Sequence, residues 1–257
     1  MKISDKDIKI KLNGILKWLN EFKVQNNCRG VVLGISGGKD STVVAMLAKK
    51  VWGKNVLGVL MPNTVQSDIA DSLDIVKTLG IDYKVVNIGG AYDALLGAVV
   101  HPTEDGVVND FNRMSDVSAQ SKTNVPPRLR MTVLYSVAQT LGYLVIGTGN
   151  ASEKYIGWTT KWGDSAFDFN PIGNLTCTEV RAVGAILAGE FGLDLKYVLK
   201  TPTDGLSGKS DEENFGFSYD VLDSYIAGEQ VETSVAERIA RMHRASEHKR
   251  KLPPTPM

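Results

Sequence analysis

The sequence predicts an α/β protein built on a parallel sheet, and three observations support this. Short apolar runs at about 31–35, 55–61 and 82–88 have the length and composition of strands. Segments with apolar residues at three- and four-residue spacing separate them, which is the pattern of a helix packed on one face. Short connections join these elements in the order strand, helix, strand, helix, strand, which predicts parallel strands. Ligands of such sheets bind beyond the carboxyl ends of the strands.

The remaining elements are predicted from the spacing of apolar residues and from the positions of prolines. The first helix is expected at 4–27, with Ser4 as its N-cap. Residues 101–125 lack periodicity and are rich in polar side chains, which favours either a functional flap or a surface excursion. The pair Pro126-Pro127 then predicts the start of a helix. Further elements are a strand at 144–150 and helices at about 41–52, 67–79, 89–100, 177–190, 218–228 and 231–247.

Composition restricts the classes of partner. The 257 residues suffice for one large domain, or for one domain with an appendage. Basic and acidic residues number 29 each, which argues against a general surface for nucleic acid. Cys28 and Cys177 lie far apart, so we expect reduced thiols instead of a disulfide framework. No apolar run reaches the roughly 20 residues that span a bilayer, and the charged N-terminus lacks a signal-peptide core. We therefore expect a cytoplasmic protein with no membrane partner.

The turn between the first strand and the next helix is the main functional candidate. It reads Ser36-Gly37-Gly38-Lys39-Asp40-Ser41. Adjacent glycines let a ligand approach the backbone, and amides at a helix N-terminus bind phosphate. The spacing fits neither a Walker-type loop nor Gly-x-Gly-x-x-Gly. An acid inside an anion site requires a cation, and Mg²⁺ suits carboxylate and phosphate oxygens together. The alternative is a plain glycine turn in which Asp40 and Ser41 cap the helix.

Other candidates lie near the same edge of the predicted sheet. Gln66 follows the second strand and is either an ATP contact or a turn residue. Arg128 and Arg130 lie near the predicted helix start, where their charge opposes the macrodipole and favours an anionic ligand. Residues 157–173 have the composition of a binding loop and are poor core material. The basic run at 246–251 is, by itself, typical of a solvated face.

The turn resembles the pyrophosphatase loop, Ser-Gly-Gly-x-Asp-Ser, of the ATP-pyrophosphatase family. Five later segments resemble the NAD synthetase subfamily in their order and spacing. These segments are 128–131, 147–150 with Glu153, 157–168 with Asn170-Pro171, 202–206 and 247–250. The resemblance implies a doubly wound, Rossmann-like parallel β-sheet with helices on both faces. It implies one NAD synthetase domain over 1–257, with an N-terminal helix at 4–27, a nucleotide-binding core at about 28–200 and a helical part at about 201–257.

The resemblance also implies roles for individual residues. ATP would contact Gly34, Ile35, Ser36, Gly37, Gly38, Lys39, Asp40, Ser41, Gln66, Thr148 and Thr203. Deamido-NAD would contact Arg128, Lys161, Asp168, His248 and Lys249. Mg²⁺ would be bound by Asp40 and Glu153, and the catalytic residues would be Ser36, Lys39 and Asp40.

The implied reaction has two steps, with ATP as co-substrate. The nicotinate carboxylate of deamido-NAD attacks the α-phosphorus of ATP, which gives an acyl-adenylate and pyrophosphate. Ammonia then attacks the acyl carbon, which gives NAD and AMP in the last step of NAD biosynthesis. Glutamine-using relatives carry a large N-terminal domain that the helix at 4–27 cannot supply. We therefore expect direct use of ammonia, which a separate glutaminase could provide, and the resemblance further implies a homodimer.

One position departs from the family pattern. Cys177 stands where the family usually has a phosphate-binding lysine, and a thiol cannot replace a cation. Either another cation substitutes, or ATP binds more weakly; the candidates are Lys39, Lys200, Lys209 and Arg181.

Three alternatives to deamido-NAD amidation stay open. A divergent member could amidate a related carboxylate, to which the unusual Pro126-Pro127 pair also points. Another ATP-pyrophosphatase, such as a tRNA thiolase or a GMP-synthetase-like subunit, is a second possibility, although a thiolase would be expected to carry positive surface charge and paired reactive cysteines. A nucleotide-binding module without catalysis is the third, and Cys177 is its best support.

Overall fold

The computed structural model describes residues 4–65, 68–100, 116–200 and 210–256. The strands are β1 (Val31–Gly34), β2 (Val56–Leu60), β3 (Asp82–Val85) and β4 (Leu144–Val145). The helices are α1 (Asp5–Gln25), α2 (Lys39–Trp52), α3 (Ile69–Thr78), α4 (Gly89–Val100), α5 (Ala119–Leu141), α6 (Ala151–Ile156), α7 (Cys177–Phe191), α8 (Lys196–Leu199), α9 (Asp211–Phe215), α10 (Tyr219–Ile226) and α11 (Thr233–Ala245).

The strands form one parallel sheet in the order β3-β2-β1-β4, as the βαβ pattern predicts. Val31 pairs with Val56 on one side and with Leu144 on the other, so β1 is a central strand. The strand predicted at 144–150 is shorter than expected. Beyond Val145, Ile146 makes a parallel bridge to Phe169, which extends the sheet by a segment from a later loop.

Helices cover both faces of the sheet because alternate strand residues point to opposite sides. Val31 and Leu33 face a core that they share with α2, α3 and α7. Val32 faces a second core that it shares with α5. This arrangement is the doubly wound α/β architecture that the resemblance implies. It places the carboxyl ends of β1 and β4 next to each other, where the candidate site lies.

The first helix is confirmed, with its N-cap. Ser4 accepts a hydrogen bond from the Asp7 amide at 3.2 Å. The buried side chains of the helix, Ile8, Leu12 and Leu19, join the main core.

Helix α5 begins earlier than the sequence predicted. Its N-cap is Ser118, whose side chain accepts from the Ser121 amide, so Pro126 and Pro127 lie inside the helix. The expectation that the two prolines start the helix was wrong, as was the placement of Arg128 beside a helix N-terminus. The helix continues through both prolines, and Pro126 is buried in the fold.

The segment 157–173 is only partly a surface loop. Phe169 and Ile172 are buried in the main core, where Phe169 lies 4.3 Å from the ring of Phe22. Calling the whole segment poor core material was therefore wrong for its second half. The aromatic and β-branched side chains of this half, Phe169 and Ile172, pack into the core although the residues around them are polar. No helix within the described ranges combines the length and hydropathy of a bilayer-spanning segment.

Candidate active site

The glycine loop closes on itself at the carboxyl end of β1. The hydroxyls of Ser36 and Ser41 lie 3.0 Å apart, and the Gly38 amide donates to the Ser36 hydroxyl at 3.2 Å. The Ser41 hydroxyl donates in turn to the Gly38 carbonyl at 3.1 Å. Gly38 is the N-cap of α2, so neither Asp40 nor Ser41 caps this helix. The loop is thus held in shape by its own serines, with the first turn of α2 directly behind it.

Gly37 is required by both conformation and space. Its φ is +80°, in the left-handed region that favours glycine. A Cβ at this position would lie 3.1 Å from the Ser72 hydroxyl and 3.3 Å from the Asp68 carbonyl. The start of α3 therefore packs directly against the loop. Lys200 fastens this helix end, since its ammonium contacts Asp71 at 2.9 Å and Asp68 at 3.0 Å.

Lys39 points inward although it lies in the loop. Its side chain is 1% exposed, and its ammonium contacts the Asp40 carboxylate at 2.6 Å. The ammonium also lies 5.4 Å from the centre of the Tyr219 ring. Burial lowers the pKa of Lys39, but the charges of Asp40 and Glu153 outweigh burial and raise it above its ordinary value. The side chain is therefore a charged, buried lysine.

Asn150 joins the ends of the two neighbouring strands. It lies just beyond β4, caps α6, and is fully buried. Its amide group donates to the Asp40 carboxylate at 3.1 Å. Its backbone N–H donates to the Glu153 carboxylate at 3.0 Å, which completes a capping box. Asp40 and Glu153 are thereby held at one site by one residue.

The two carboxylates form an acidic pair that suits a divalent cation. Burial, and next the charge of Asp40, raise the pKa of Glu153 to about 8. Within the described residues there is no cluster of three or more metal-ligating side chains. Mg²⁺ commonly takes one or two carboxylates and completes its shell with phosphate oxygens and water. The donor chemistry of the pair fits such an ion.

Cys177 lies deep in the fold, at the first turn of α7. Its side chain is fully buried, its amide donates to the Ser152 hydroxyl at 2.9 Å, and burial raises the pKa of its thiol to about 12. Lys39 is close enough for its charge to affect this thiol. The other candidate cations are placed differently. Lys200 is engaged at α3, Arg181 lies 3.7 Å from Asp220, and Lys209 falls outside the described residues.

A basic clamp holds the end of α6 and the start of the segment 157–164 from the C-terminal side. We use this name for Lys249 and Arg250. The Lys249 ammonium donates to the carbonyls of Gly157 at 2.7 Å and Thr159 at 2.6 Å. The Arg250 guanidinium donates to the carbonyls at the end of α6, with Tyr155 at 3.1 Å. The basic run is therefore bound to the protein itself.

The other residues predicted for substrate lie along α5 and the segment beside it. Arg128 is exposed, and its Nε donates to the Lys161 carbonyl at 3.3 Å. Asp168 accepts from the Tyr135 hydroxyl at 3.3 Å and from the Val145 amide at 2.7 Å. Asp168 therefore also ties its segment to the edge of the sheet.

The structure brings some of the predicted residues together but not all. One site contains Glu153 and residues 34–41, which include Asp40. Thr148 lies on the short connection from β4 to Asn150. His248 lies in a 3₁₀ turn beside the clamp. Gln66 and Thr203 fall outside the described residues.

Asn150 was not among the predicted site residues, although the sequence carries a signal for it. An asparagine followed three residues later by a glutamate, directly after a strand, is the pattern of a capping box. Tyr219 was also missed. It carries no local signal, because it reaches Lys39 from a helix 180 residues further along the chain.

The fold and the site define a nucleotide-binding α/β protein of the ATP-pyrophosphatase class. The NAD synthase family model matches residues 11–253, and the chain belongs to that family. A curated relative is the NH(3)-dependent NAD(+) synthetase of Carboxydothermus hydrogenoformans, 38% identical over 96% of this chain and 97% of the relative.

Two solved structures extend the comparison. The NMN synthetase of Francisella tularensis superimposes with a TM-score of 0.84 at 33% identity, over 99% of both chains. The NH3-dependent NAD synthetase of Campylobacter jejuni gives a TM-score of 0.75 at 26% identity, over 99% of this chain and 100% of the other.

Proposed function

We propose that this protein is an ATP-dependent ligase that amidates deamido-NAD with ammonia and releases NAD, AMP and pyrophosphate. The observation that carries the proposal is the joining of the glycine loop to the Asp40–Glu153 pair through Asn150. This arrangement would give the phosphates of ATP backbone amides, and a counter-charge from Mg²⁺ held by the two carboxylates. The names of the curated relatives support the choice of reaction.

In the first step, the residues of the loop position ATP for attack at its α-phosphorus. An oxygen of the nicotinate carboxylate forms a bond to that phosphorus, and the bond to the bridging oxygen breaks as pyrophosphate leaves. We propose that residues 34–41 hold the phosphates and that Ser36, Lys39 and Asp40 are the catalytic residues that act on the developing charge. Asp40 and Glu153 would hold Mg²⁺, which neutralises phosphate charge when bound.

In the second step, the nitrogen of ammonia forms a bond to the acyl carbon, the bond to AMP breaks, and one proton passes to solvent. No protein nucleophile is required, because the acyl-adenylate is already activated. Most of the acceleration then comes from positioning and fixed electrostatics. For deamido-NAD we propose contacts with Arg128, Lys161, Asp168, His248 and Lys249. Thr148, Gln66 and Thr203 are proposed contacts of ATP.

A second candidate substrate is nicotinic acid mononucleotide, the carboxylate that would give NMN. The specific observation in its favour is the match to the NMN synthetase of Francisella tularensis over 99% of both chains. Both candidate substrates present the same nicotinate carboxylate to the loop. They differ in the adenylate half, which only deamido-NAD carries.

The experiment that tests the proposal measures kcat/KM for both carboxylates, with ATP, Mg²⁺ and ammonium, and follows pyrophosphate and nicotinamide nucleotide together. We expect deamido-NAD to give the higher value and Asp40→Asn to lower kcat by roughly 10²–10³. A higher value for the mononucleotide assigns the second function. Absence of pyrophosphate with either carboxylate rejects both functions.

Other features of the proposal concern partners and location. We propose a homodimer and direct use of ammonia, with a separate glutaminase as its source in the cell. No nucleic acid partner is proposed, and a cytoplasmic location stays a prediction of the sequence. Strong turnover with glutamine in an ammonia-free assay would contradict the ammonia assignment.

A further inference from the structure

We propose that Asp223 is a positioning residue for the Asp40–Glu153 pair. Through the hydroxyl of Ser152, it fixes the first turn of α6 and thereby the place of the Glu153 carboxylate relative to Asp40. The inference rests on the proposed function, in which the two carboxylates bind Mg²⁺. It gives a role in the site to α10, on which no predicted site residue lies.

The first step of the argument is the set of contacts that Asp223 makes. The residue is 8% exposed, and the hydrogen bonds described below all come to it from donors. The Ser152 hydroxyl donates to one carboxylate oxygen. The amide and the hydroxyl of Thr178 donate to the other oxygen, at 2.8 and 2.7 Å. A carboxylate suits this set because it offers acceptors on both sides, whereas an asparagine would turn its NH₂ donor toward one of them.

The second step concerns Ser152, which links Asp223 to α6. Ser152 is fully buried, and its hydroxyl accepts from the Cys177 amide at 2.9 Å while it donates to Asp223. A hydroxyl carries one proton, and the amide bond uses one of its lone pairs, so the proton is free to point at the carboxylate. The Ser152 side chain is therefore held by one partner on α10 and by another at the start of α7.

The third step is the shortness of α6. Its six residues, Ala151–Ile156, are too few for a helix that is stable by itself, so contacts with the rest of the fold set its direction. Arg250 contacts the far end of the helix, at the Tyr155 carbonyl. The bond from Ser152 to Asp223 holds the first turn, where Glu153 is the next residue. Loss of this bond would let the first turn, and Glu153 with it, move away from Asp40.

The fourth step is the position of Asp223 on α10. Tyr219 lies four residues earlier, so the two side chains extend from one face of the helix. Both residues are buried, and the Tyr219 ring lies 5.4 Å from the ammonium of Lys39, with which α2 begins. One face of α10 thus contacts the starts of α2, α6 and α7. Two of these helices carry the two carboxylates, so this face sets the distance between them.

The test measures ATP binding to the full chain by isothermal titration calorimetry, once with excess Mg²⁺ and once in EDTA. The readout is the Mg²⁺ enhancement, which is the ratio of the ATP affinity with Mg²⁺ to the ATP affinity in EDTA. We expect Asp223→Asn and Ser152→Ala each to lower the enhancement about tenfold, because residues that orient a metal ligand affect metal affinity on this scale. The ATP affinity in EDTA should match that of the wild type, because the glycine loop is unchanged.

The matched control is Thr178→Val, which removes a hydroxyl bond to the same carboxylate from the α7 side and leaves Ser152 in place. It should lower the unfolding temperature and keep the wild-type Mg²⁺ enhancement. The double variant Ser152→Ala/Asp223→Asn should lose no more enhancement than Ser152→Ala alone, because Asp223 acts through Ser152. Additive losses would contradict this route and overturn the inference.

The remaining outcomes separate a positioning role from a purely structural one. If Thr178→Val loses as much enhancement as Asp223→Asn, any substitution at this junction has the same effect, and the inference is overturned. If Asp223→Asn does not fold, Ser152→Ala decides alone. A lowered enhancement in that variant supports the inference, and a wild-type enhancement or a failure to fold overturns it.

The same titrations distinguish the inference from the proposed function. A wild-type protein that binds ATP in neither condition refutes the proposed function. A wild-type protein that binds ATP equally well in both conditions refutes the metal role of the two carboxylates, and the inference with it. A wild-type protein with an enhancement that Asp223→Asn and Ser152→Ala leave unchanged refutes only the role of Asp223.

Discussion

The glycine loop and the clamped segment at 157–164 are both held by hydrogen bonds, but over very different distances along the chain. The bonds between Ser36 and Ser41 join residues five positions apart. The bonds from Lys249 to the clamped segment join residues 90 and 92 positions apart. The segment at 157–164 also has local bonds, from the Thr159 hydroxyl and the Thr160 amide to Asp164 at 2.8 and 2.7 Å, so the clamp adds long-range bonds to a locally bonded turn.

This difference has a functional meaning under the proposed reaction. The loop keeps its form as long as β1, α2, Asn150 and the packed start of α3 are in place, so the ATP side should tolerate damage to the clamp. The clamped segment loses its anchor when the C-terminal helices shift. We therefore expect substitutions in the clamp to weaken binding of the carboxylate substrate more than binding of ATP.

The largest expected effect comes from Gly157→Ala, compared with Gly37→Ala. Both glycines have a positive φ, but a Cβ at Gly157 would lie 2.0 Å from the Cβ of Ser246, whereas the nearest atom at Gly37 is 3.1 Å away. Gly157→Ala should lower the free energy of unfolding by roughly 3 kcal/mol, and Gly37→Ala by about 1–2 kcal/mol. Urea titration measures both. Equal losses would show that the contact between Gly157 and Ser246 is no tighter than the packing at Gly37.

The next effect in size is expected for Asn150→Ala. This change removes an N-cap and the contact to Asp40, so the free energy of unfolding should fall by roughly 1–3 kcal/mol and ATP binding should weaken. Thr176→Ala is the matched control, because Thr176 caps α7 in the same capping-box geometry. It should lose similar stability and keep its ATP affinity, as measured by calorimetry. Equal loss of ATP affinity in both variants would contradict the bridging role of Asn150.

A smaller effect is expected for Lys249→Met. Loss of two bonds to carbonyls should raise KM for the carboxylate substrate about tenfold and leave KM for ATP unchanged. Lys251→Met is the control, since Lys251 makes an exposed pair with Glu247, which contributes little. Steady-state kinetics with each substrate varied in turn measures the difference. A rise in KM for ATP of the same size would remove the distinction between the two regions.

The smallest effect concerns the two thiols, which we expect to be protonated and unreactive in the folded protein. Burial raises the pKa of Cys177 to about 12 from an ordinary value of 9.0, and burial also raises that of Cys28. Between pH 9 and 12 the unfolded chain loses a proton that folded Cys177 keeps, so stability should fall as pH rises through this range. At pH 8 a thiol reagent should label neither cysteine until urea unfolds the chain. Rapid labelling of Cys177 without urea would mean that the space around Lys39 is open.

Much of the fold was predictable, because the periodicity of strands and helices reflects which side chains meet the core. The start of α5 was misjudged because the two prolines were interpreted as a helix start, whereas the helix begins after the Ser118 cap and runs through them. The loop and Asp40 could be identified from local sequence. The inward orientation of the Lys39 side chain could not be predicted from local sequence. It depends on Tyr219 and on Cys177, which reach it from distant parts of the chain.

The clamp also implies an order in which the two regions of the site form during synthesis on the ribosome. Lys249 and Arg250 are synthesised about 90 residues after the carbonyls that they bind, which at typical elongation rates is roughly 5–20 s. During that interval β1 and α2 are already available to form the glycine loop. A nascent chain can therefore acquire its phosphate-binding turn well before the segment at 157–164 is fixed, and the two halves of the site mature in sequence.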